Sequence, residues 1–258
     1  MNEQVYPLLE NLQVLRRDAL ASIRDRAFDT LLLYSDDYGD GIMSGCRLTT
    51  NRDIISLSPG IVRYGKFVYF VREPMSINYA PTDEYRVLKL HFSMQEDIES
   101  MRLRKINLII TPNMETKSDE MELCRFKLKK GAVLRTKYTD FFDRITEFDT
   151  INEIYCPYAA VGGSTLSPDV LFHFAKEASA YRLENLDQMF CLAALSGTLI
   201  PREGILFYLR QRLGVAENSV EDNMGLYQGL CTILREIQNG EELNSGPIRR
   251  NKREVFMD

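Results

Sequence analysis

The sequence predicts an α/β fold, in which a layered mixed or parallel sheet has flanking helices and is followed by a helical C-terminal region. Two observations lead to this prediction. Short apolar runs typical of strands alternate with helical patterns over the first 160 residues, whereas from residue 165 onward apolar residues recur every three or four positions. We therefore predict an α/β domain over residues 1–160, a helical region packed on it over 165–240, and a polar, mobile tail over 241–258.

Apolar spacing and turn residues predict the α/β part element by element. Leucines at intervals of three and four favour an amphipathic helix over residues 8–26, and the apolar run 29–34 favours a buried strand. Ser93 and Glu96 have the spacing of a capping box, which predicts a helix from there to about residue 104. The other predictions are strands at 53–58, 66–72, 86–92, 105–111 and 132–135, a helix near 117–129 and a helical turn at 140–145.

The helical region begins at a clear start signal. Ser167 is a favoured N-cap residue, and Pro168 suits the first turn of a helix. The apolar spacing that follows predicts four helices, at 168–181, 185–195, 203–213 and 219–237.

Composition and charge exclude several classes of protein. The net charge of -5 offers no general attraction to phosphates or anionic lipids, so we predict neither a nucleic-acid nor a membrane partner. No apolar run reaches the ~20 residues of a membrane span, and the N-terminal residues lack the pattern of a signal peptide. The five cysteines are scattered and include no Cys-x-x-Cys pair, which indicates reduced thiols and a cytoplasmic location.

Histidine is scarce, which limits metal and acid–base chemistry. With only His91 and His173, a three-histidine zinc site is impossible. His91 is predicted beside Lys89 on the polar face of strand 86–92, and His173 lies one position off the apolar stripe of a helix. Both are interpreted as rim or solvated residues.

An acidic loop follows the predicted strand 29–34. It contains Asp36, Asp37 and Asp40, and carboxylates in a flexible loop suit hard cations such as Mg²⁺ or Ca²⁺. The carboxyl ends of strands in open α/β sheets are also where ligands usually bind. The alternative is an ordinary solvated turn, because Asp and Gly are turn formers for backbone reasons alone.

A loop of small residues precedes the first helix of the C-terminal region. Gly162, Gly163 and Ser164 follow a possible strand at Glu153–Cys156, and a helix N-terminus after them could present backbone N–H groups to an anion. The loop matches neither a P-loop nor a dinucleotide-binding fingerprint. A plain loop before a capped helix is the alternative.

The order of elements in the first half resembles the N-terminal domain of the creatinase, prolidase and aminopeptidase P family. The resemblance covers roughly residues 8–155 and rests on element order rather than on a specific motif. Its segments are the first helix and strand, Ile106–Thr111, Ala132–Arg135, Asp140–Phe142 and Glu153-Ile154. The sequence departs from the family where Asp149 and Thr146 stand in place of a lysine and an arginine. The resemblance implies a stand-alone, non-catalytic domain that shapes substrate access and oligomer contacts.

Two hypotheses of function follow, and they leave open whether the chain is an enzyme. The first is a binding or assembly protein without catalytic chemistry and without a cofactor, because no histidine, cysteine or glycine pattern has catalytic spacing. Its interface with a protein partner or a second copy would use apolar residues of the helical half, which could instead be core: Met189, Phe190, Phe207, Tyr208 and Leu209. The alternative is a metal-dependent enzyme or binder of an anionic small molecule, with Mg²⁺ at Asp36, Asp37 and Asp40 and the anion at the glycine loop.

Overall fold

The computed structural model describes residues 14, 16–93, 96–98, 101–214, 220 and 222–241. Its strands form mixed sheets and its helices lie mostly in the C-terminal half, so the predicted α/β fold is confirmed. Residues 8–13 and 15 of the predicted first helix and 242–258 of the predicted tail lie outside the described residues. No helix of the described part is long and apolar enough to cross a membrane.

The strands form three sheets and a separate hairpin. In chain order they are β1 (Gly41–Gly45), β2 (Leu48–Asn51), β3 (Ile54–Leu57), β4 (Gly60–Tyr64), β5 (Phe67–Val71), β6 (Met75–Asn78), β7 (Tyr85–Phe92), β8 (Glu96–Ile98), β9 (Met101–Leu103), β10 (Ile106–Thr111), β11 (Glu120–Lys127), β12 (Tyr158–Ala160) and β13 (Gly163–Thr165). The largest sheet has the order β13-β12-β1-β4-β5, with β1 and β12 parallel and its other neighbours antiparallel. The antiparallel sheets β10-β7-β11 and β2-β3-β6 and the hairpin β8-β9 complete the strands.

The helices of the C-terminal half match their predictions in type and order. The helices are α1 (Arg17–Tyr34), α2 (Pro168–Ala178), α3 (Asn185–Leu195), α4 (Arg202–Leu213) and α5 (Asn223–Glu241), with a 3₁₀ turn at Phe142–Ile145. Ser167 is the N-cap of α2, and its hydroxyl accepts a hydrogen bond from the Asp169 N–H at 3.2 Å. The predicted start signal of α2 is therefore confirmed.

Apolar side chains gather into two buried clusters. The strand core lies among the sheets and includes Ile42, Leu57, Val62, Leu88 and Leu123. The helical core lies among α2 to α5 and includes Val170, Phe174, Tyr208, Tyr227 and Leu230. It also takes in Phe141 and Ile154 from the segment between β11 and β12. All five cysteines are buried free thiols, which confirms the predicted absence of disulfides.

The predicted strand 29–34 is wrong, because these residues form the last turns of α1. The leucines of this run favour helix over strand, and Leu33 is 76% exposed, so the run is not a buried strand. The helix predicted from residue 8 continues through the supposed strand and ends at Tyr34.

The predicted helices 93–104 and 117–129 are also wrong. The first region is the β8–β9 hairpin, which extends the β7–β10 pairing through a 2.9 Å hydrogen bond from the Ser93 N–H to the Lys105 carbonyl. The second contains β11, which pairs with β7 over nearly its whole length. At β11, pairing with β7 and burial have overridden the local helix signal. The strand predicted at 132–135 is reduced to an isolated bridge between Arg135 and Thr150.

Candidate functional site

The acidic loop connects α1 to β1. Asp36 and Asp37 are exposed. Asp40 Oδ1 accepts a hydrogen bond from the Gly65 N–H at 2.8 Å and lies 3.5 Å from Arg63 Nη1. The Asp40 carboxylate therefore holds the turn between β4 and β5 against the loop.

The acidic loop packs directly on the hairpin formed by β12 and β13. The Gly162 N–H donates to the Asp37 carbonyl at 2.9 Å, and Ser164 Oγ donates to the Asp40 carbonyl at 2.6 Å. A Cβ on Gly39 would come within 2.3 Å of the hairpin backbone, so this close approach requires a glycine. The two segments that the sequence proposed as separate sites are neighbours.

The backbone around the glycine loop differs from its prediction. Gly162 lies in the turn of the hairpin, and Gly163 and Ser164 begin β13, so a short strand separates the glycine loop from the helix N-terminus that was predicted after it. The helix starts later, at Pro168. Across the described residues, no three His, Cys, Asp or Glu side chains are grouped so that they could hold a metal ion. The assignments of Asp36, Asp37 and Asp40 to Mg²⁺ and of the glycine loop to an anion stay predictions.

A long apolar surface lies on α1. None of its 18 residues is buried. Two of its apolar residues, Leu20 and Ile23, are 53% and 46% exposed. The helix lies beside β5. Most of the stability of a helix in a protein comes from packing an apolar face, and isolated helices near this length are marginal in water. The apolar side chains of α1 therefore lack the burial that usually stabilises such a helix.

The apolar residues predicted as an interface in the helical half divide into two groups. Phe190, Tyr208 and Leu209 are buried, and the rings of Phe190 and Tyr208 stack with centroids 4.0 Å apart. These residues are core. Met189 is 71% exposed and Phe207 is also exposed, so these two remain at the surface.

A polar cavity of about 220 Å³ lies between the strand core and the helical core. Its walls come from the β1–β2 connection, the segment around the 3₁₀ turn, the stretch before β13 and the first turn of α2. The side chains that define its chemistry are Arg47, Tyr138, Arg144, Glu153, Tyr158 and Asp169. Arg47 and Asp169 are exposed and lie 3.4 Å apart, whereas Arg144 is buried.

Hydrogen bonds hold the inner wall of the cavity in place. Arg144 Nε donates to His173 Nδ1 at 3.1 Å, and Arg144 Nη2 donates to the Asp169 carbonyl at 3.1 Å. The guanidinium carbon of Arg144 lies 4.3 Å from the centroid of the Tyr138 ring. These contacts fix the guanidinium before any ligand arrives.

Burial and neighbouring charges shift the pKa values of the groups at the cavity. Burial raises the pKa of Glu153, and the positive charges of Arg144 and Arg47 oppose this rise. Burial also raises the pKa of Tyr158, so its hydroxyl stays protonated. Burial and then the charge of Arg144 lower the pKa of His173, which keeps Nδ1 free to accept the bond from Arg144.

The cavity is not predictable from the sequence, because the segments that form its walls are far apart along the chain. Arg47 and Asp169 are separated by 122 positions, and no spacing rule joins them. The sequence signals for a buried polar site are local. Arg144 directly follows Phe141-Phe142-Asp143, and Glu153 directly precedes Ile154, which is buried. Charged residues beside apolar core positions are candidates for buried polar sites.

Fold and site together define an α/β protein of mixed sheets with a polar cavity between two cores. Comparison with family models and with curated proteins finds no match. Among solved structures, a similarity covers 92% of this chain and 69% of a chain titled "Crystal structure of TssK", with a TM-score of 0.38 and 10% sequence identity. A similarity at this level establishes neither a shared fold nor a shared function.

Proposed function

We propose that this chain is a binding or assembly protein without catalytic chemistry of its own, and that it associates with further protein through α1. The observation that supports this proposal is that none of the residues of α1 is buried. A helix of 18 residues spans about 27 Å and here buries no side chain within its own chain.

The apolar residues of α1 have the spacing of a helix–helix seam. Leu20, Ile23, Ala27 and Tyr34 follow one another at intervals of three, four and seven, which places them on one face. All four are exposed. A second apolar helix could pack its ridges along this face and remove it from water. The partner that can be tested directly is a second copy of the chain.

Exposed apolar residues in the helical half supply a second surface of the same kind. Met189 and Leu192 lie three positions apart on α3 and are both exposed. Exposed methionine and leucine side chains are common at protein-binding surfaces, although scattered single residues are also normal. The resemblance to the creatinase-type N-terminal domain stays a prediction, and it too implies oligomer contacts.

Sedimentation of the purified chain over a range of concentrations tests the proposal. We expect the wild type to self-associate. The dissociation constant of the Leu20→Glu/Ile23→Glu double variant should be at least about tenfold higher, which corresponds to ~1.4 kcal/mol. Burying two carboxylates in the interface would cost more than this.

Leu32→Glu is the matched control, since Leu32 is exposed and lies about 150° around α1 from the midpoint between Leu20 and Ile23. It should associate as the wild type does. A wild type that is monomeric at every concentration, or a Leu32 variant that dissociates like the seam variant, would contradict the proposal.

A further inference from the structure

Glu153 lines the cavity with a carboxylate to which the described residues offer one shared hydrogen-bond donor, the hydroxyl of Tyr138. Tyr138 Oη lies 3.1 Å from Glu153 Oε2, but it also lies 2.7 Å from the Ile151 carbonyl oxygen. A tyrosine has one hydroxyl hydrogen and cannot bond fully to both oxygens, whereas a carboxylate can accept about four hydrogen bonds. Within the described part of the chain, Glu153 makes no ion pair with a lysine or arginine. A donor in the cavity would satisfy it.

The charges of the cavity wall are balanced. Arg144 and Glu153 form the inner part, and Arg47 and Asp169 lie at the exposed part. A simple anion would be attracted by the arginines but repelled by both carboxylates. A simple cation would be attracted by the carboxylates but repelled by the arginines. A ligand that carries both charges can place each against its opposite.

The size of the cavity limits the ligand to a compact molecule. A volume of about 220 Å³ lies below the ~300–1,000 Å³ of pockets that hold drug-sized ligands. It corresponds to roughly seven water molecules at ~30 Å³ each. The tyrosine hydroxyls and the fixed guanidinium of Arg144 give this space a mainly polar wall.

We propose that the cavity binds a free α-amino acid, with the carboxylate of the ligand held by Arg144 and Arg47 and its ammonium group held by Glu153. The ammonium group supplies the hydrogen-bond donors that Glu153 lacks. The cavity is formed by segments that come together in the folded chain. A ligand bound there therefore stabilises the folded state by mass action.

Thermal unfolding of the full chain with single free amino acids, followed by calorimetric titration of those that stabilise it, tests the proposal. We expect at least one compact amino acid to raise the melting temperature. Its N-acetyl derivative, which lacks the ammonium charge, and its amide, which lacks the carboxylate, should both fail to do so. Glu153→Gln should weaken binding at least about tenfold, because a charge-assisted hydrogen bond is lost.

Glu203→Gln is the control, since Glu203 is an exposed carboxylate on α4, away from the cavity wall, and it should bind as the wild type does. Arg47→Gln provides a second variant at an exposed position and should also weaken binding. The proposal is overturned if no amino acid raises the melting temperature, if the N-acetyl or amide derivative binds as tightly as its parent, or if neither variant at the cavity changes the affinity.

Discussion

Lys89 places an ammonium group inside the β10-β7-β11 sheet, where its side chain is 1% exposed. Nζ lies 2.8 Å from Glu120 Oε2 and also donates to the Glu115 carbonyl. Lys89 and His91 are two positions apart on β7 and so share a face, as the alternation predicts, but Lys89 is buried in an ion pair. Alternation along a strand identifies residues that share a face. It does not show which of these residues is buried in an ion pair.

The buried pair gives a prediction at the residue scale. Lys89→Met should destabilise the fold by about 3–5 kcal/mol, because it leaves Glu120 buried without its cation. The double variant Lys89→Met/Glu120→Gln should be more stable than the single variant, since no uncompensated charge remains. Urea unfolding of the three proteins measures the difference. A double variant that is less stable than the single one would show that the pair is not the cause.

The same pair makes stability depend on pH. The hydrogen bond from Lys89 lowers the pKa of Glu120 below its usual value of 4.5. A carboxyl whose pKa is lowered by folding contributes stability above its unfolded pKa, and this contribution is lost as the pH falls through the lower folded value. Acidification below 4.5 should therefore destabilise the wild type more than the double variant, in which position 120 no longer titrates.

At the scale of elements, the contact between α4 and α5 depends on a glycine. A Cβ at Gly229 would lie 2.8 Å from Leu209 Cδ1, and Leu209 is fully buried. Gly→Ala in a helix usually stabilises by about 1 kcal/mol, but overpacking of a core costs about 1–3 kcal/mol. We expect Gly229→Ala to lower the melting temperature.

Gly240 on the same helix provides the comparison, because nothing lies within 4 Å of a Cβ built there. Gly240→Ala should be neutral or stabilising by up to about 1 kcal/mol. If both variants raise the melting temperature alike, α5 can move away from Leu209 and the packing is looser than the distances indicate.

The elements differ in how well the sequence predicts them. Helices α2 to α5 were predicted because their apolar stripe and the Ser167 cap are local signals. The sequence predicts β11 as helix because its Glu, Met, Leu and Lys residues favour helices, whereas its pairing with β7 depends on distant residues, as in the pairs Glu120 with His91 and Lys127 with Tyr85. The cavity between the cores was missed for the same reason, since its wall is assembled from distant segments.

At the scale of the whole molecule, Asn223 at the start of α5 joins the helical region to the large sheet. Its Nδ2 lies 3.3 Å from the Cys156 carbonyl and 3.3 Å from the Thr165 carbonyl, and an amide nitrogen has two hydrogens for the two bonds. Tyr227, one turn further along α5, donates its hydroxyl hydrogen to the Phe141 carbonyl at 2.6 Å. The bond from Asn223 to the Cys156 carbonyl crosses the junction between the two cores, whereas the bond from Tyr227 to Phe141 lies within the helical core.

The junction predicts how the chain unfolds. If polar contacts couple the cores, the slowest amides of α5 and of β7 should exchange with the same free energy of opening in native-state hydrogen exchange. Asn223→Ala removes two buried hydrogen bonds and should cost about 1–3 kcal/mol. Because the loss lies at the junction, α5 should then open at a lower free energy than β7. Two different opening free energies in the wild type would show that the cores are not coupled, and equal ones in the variant would show that Asn223 is not what couples them.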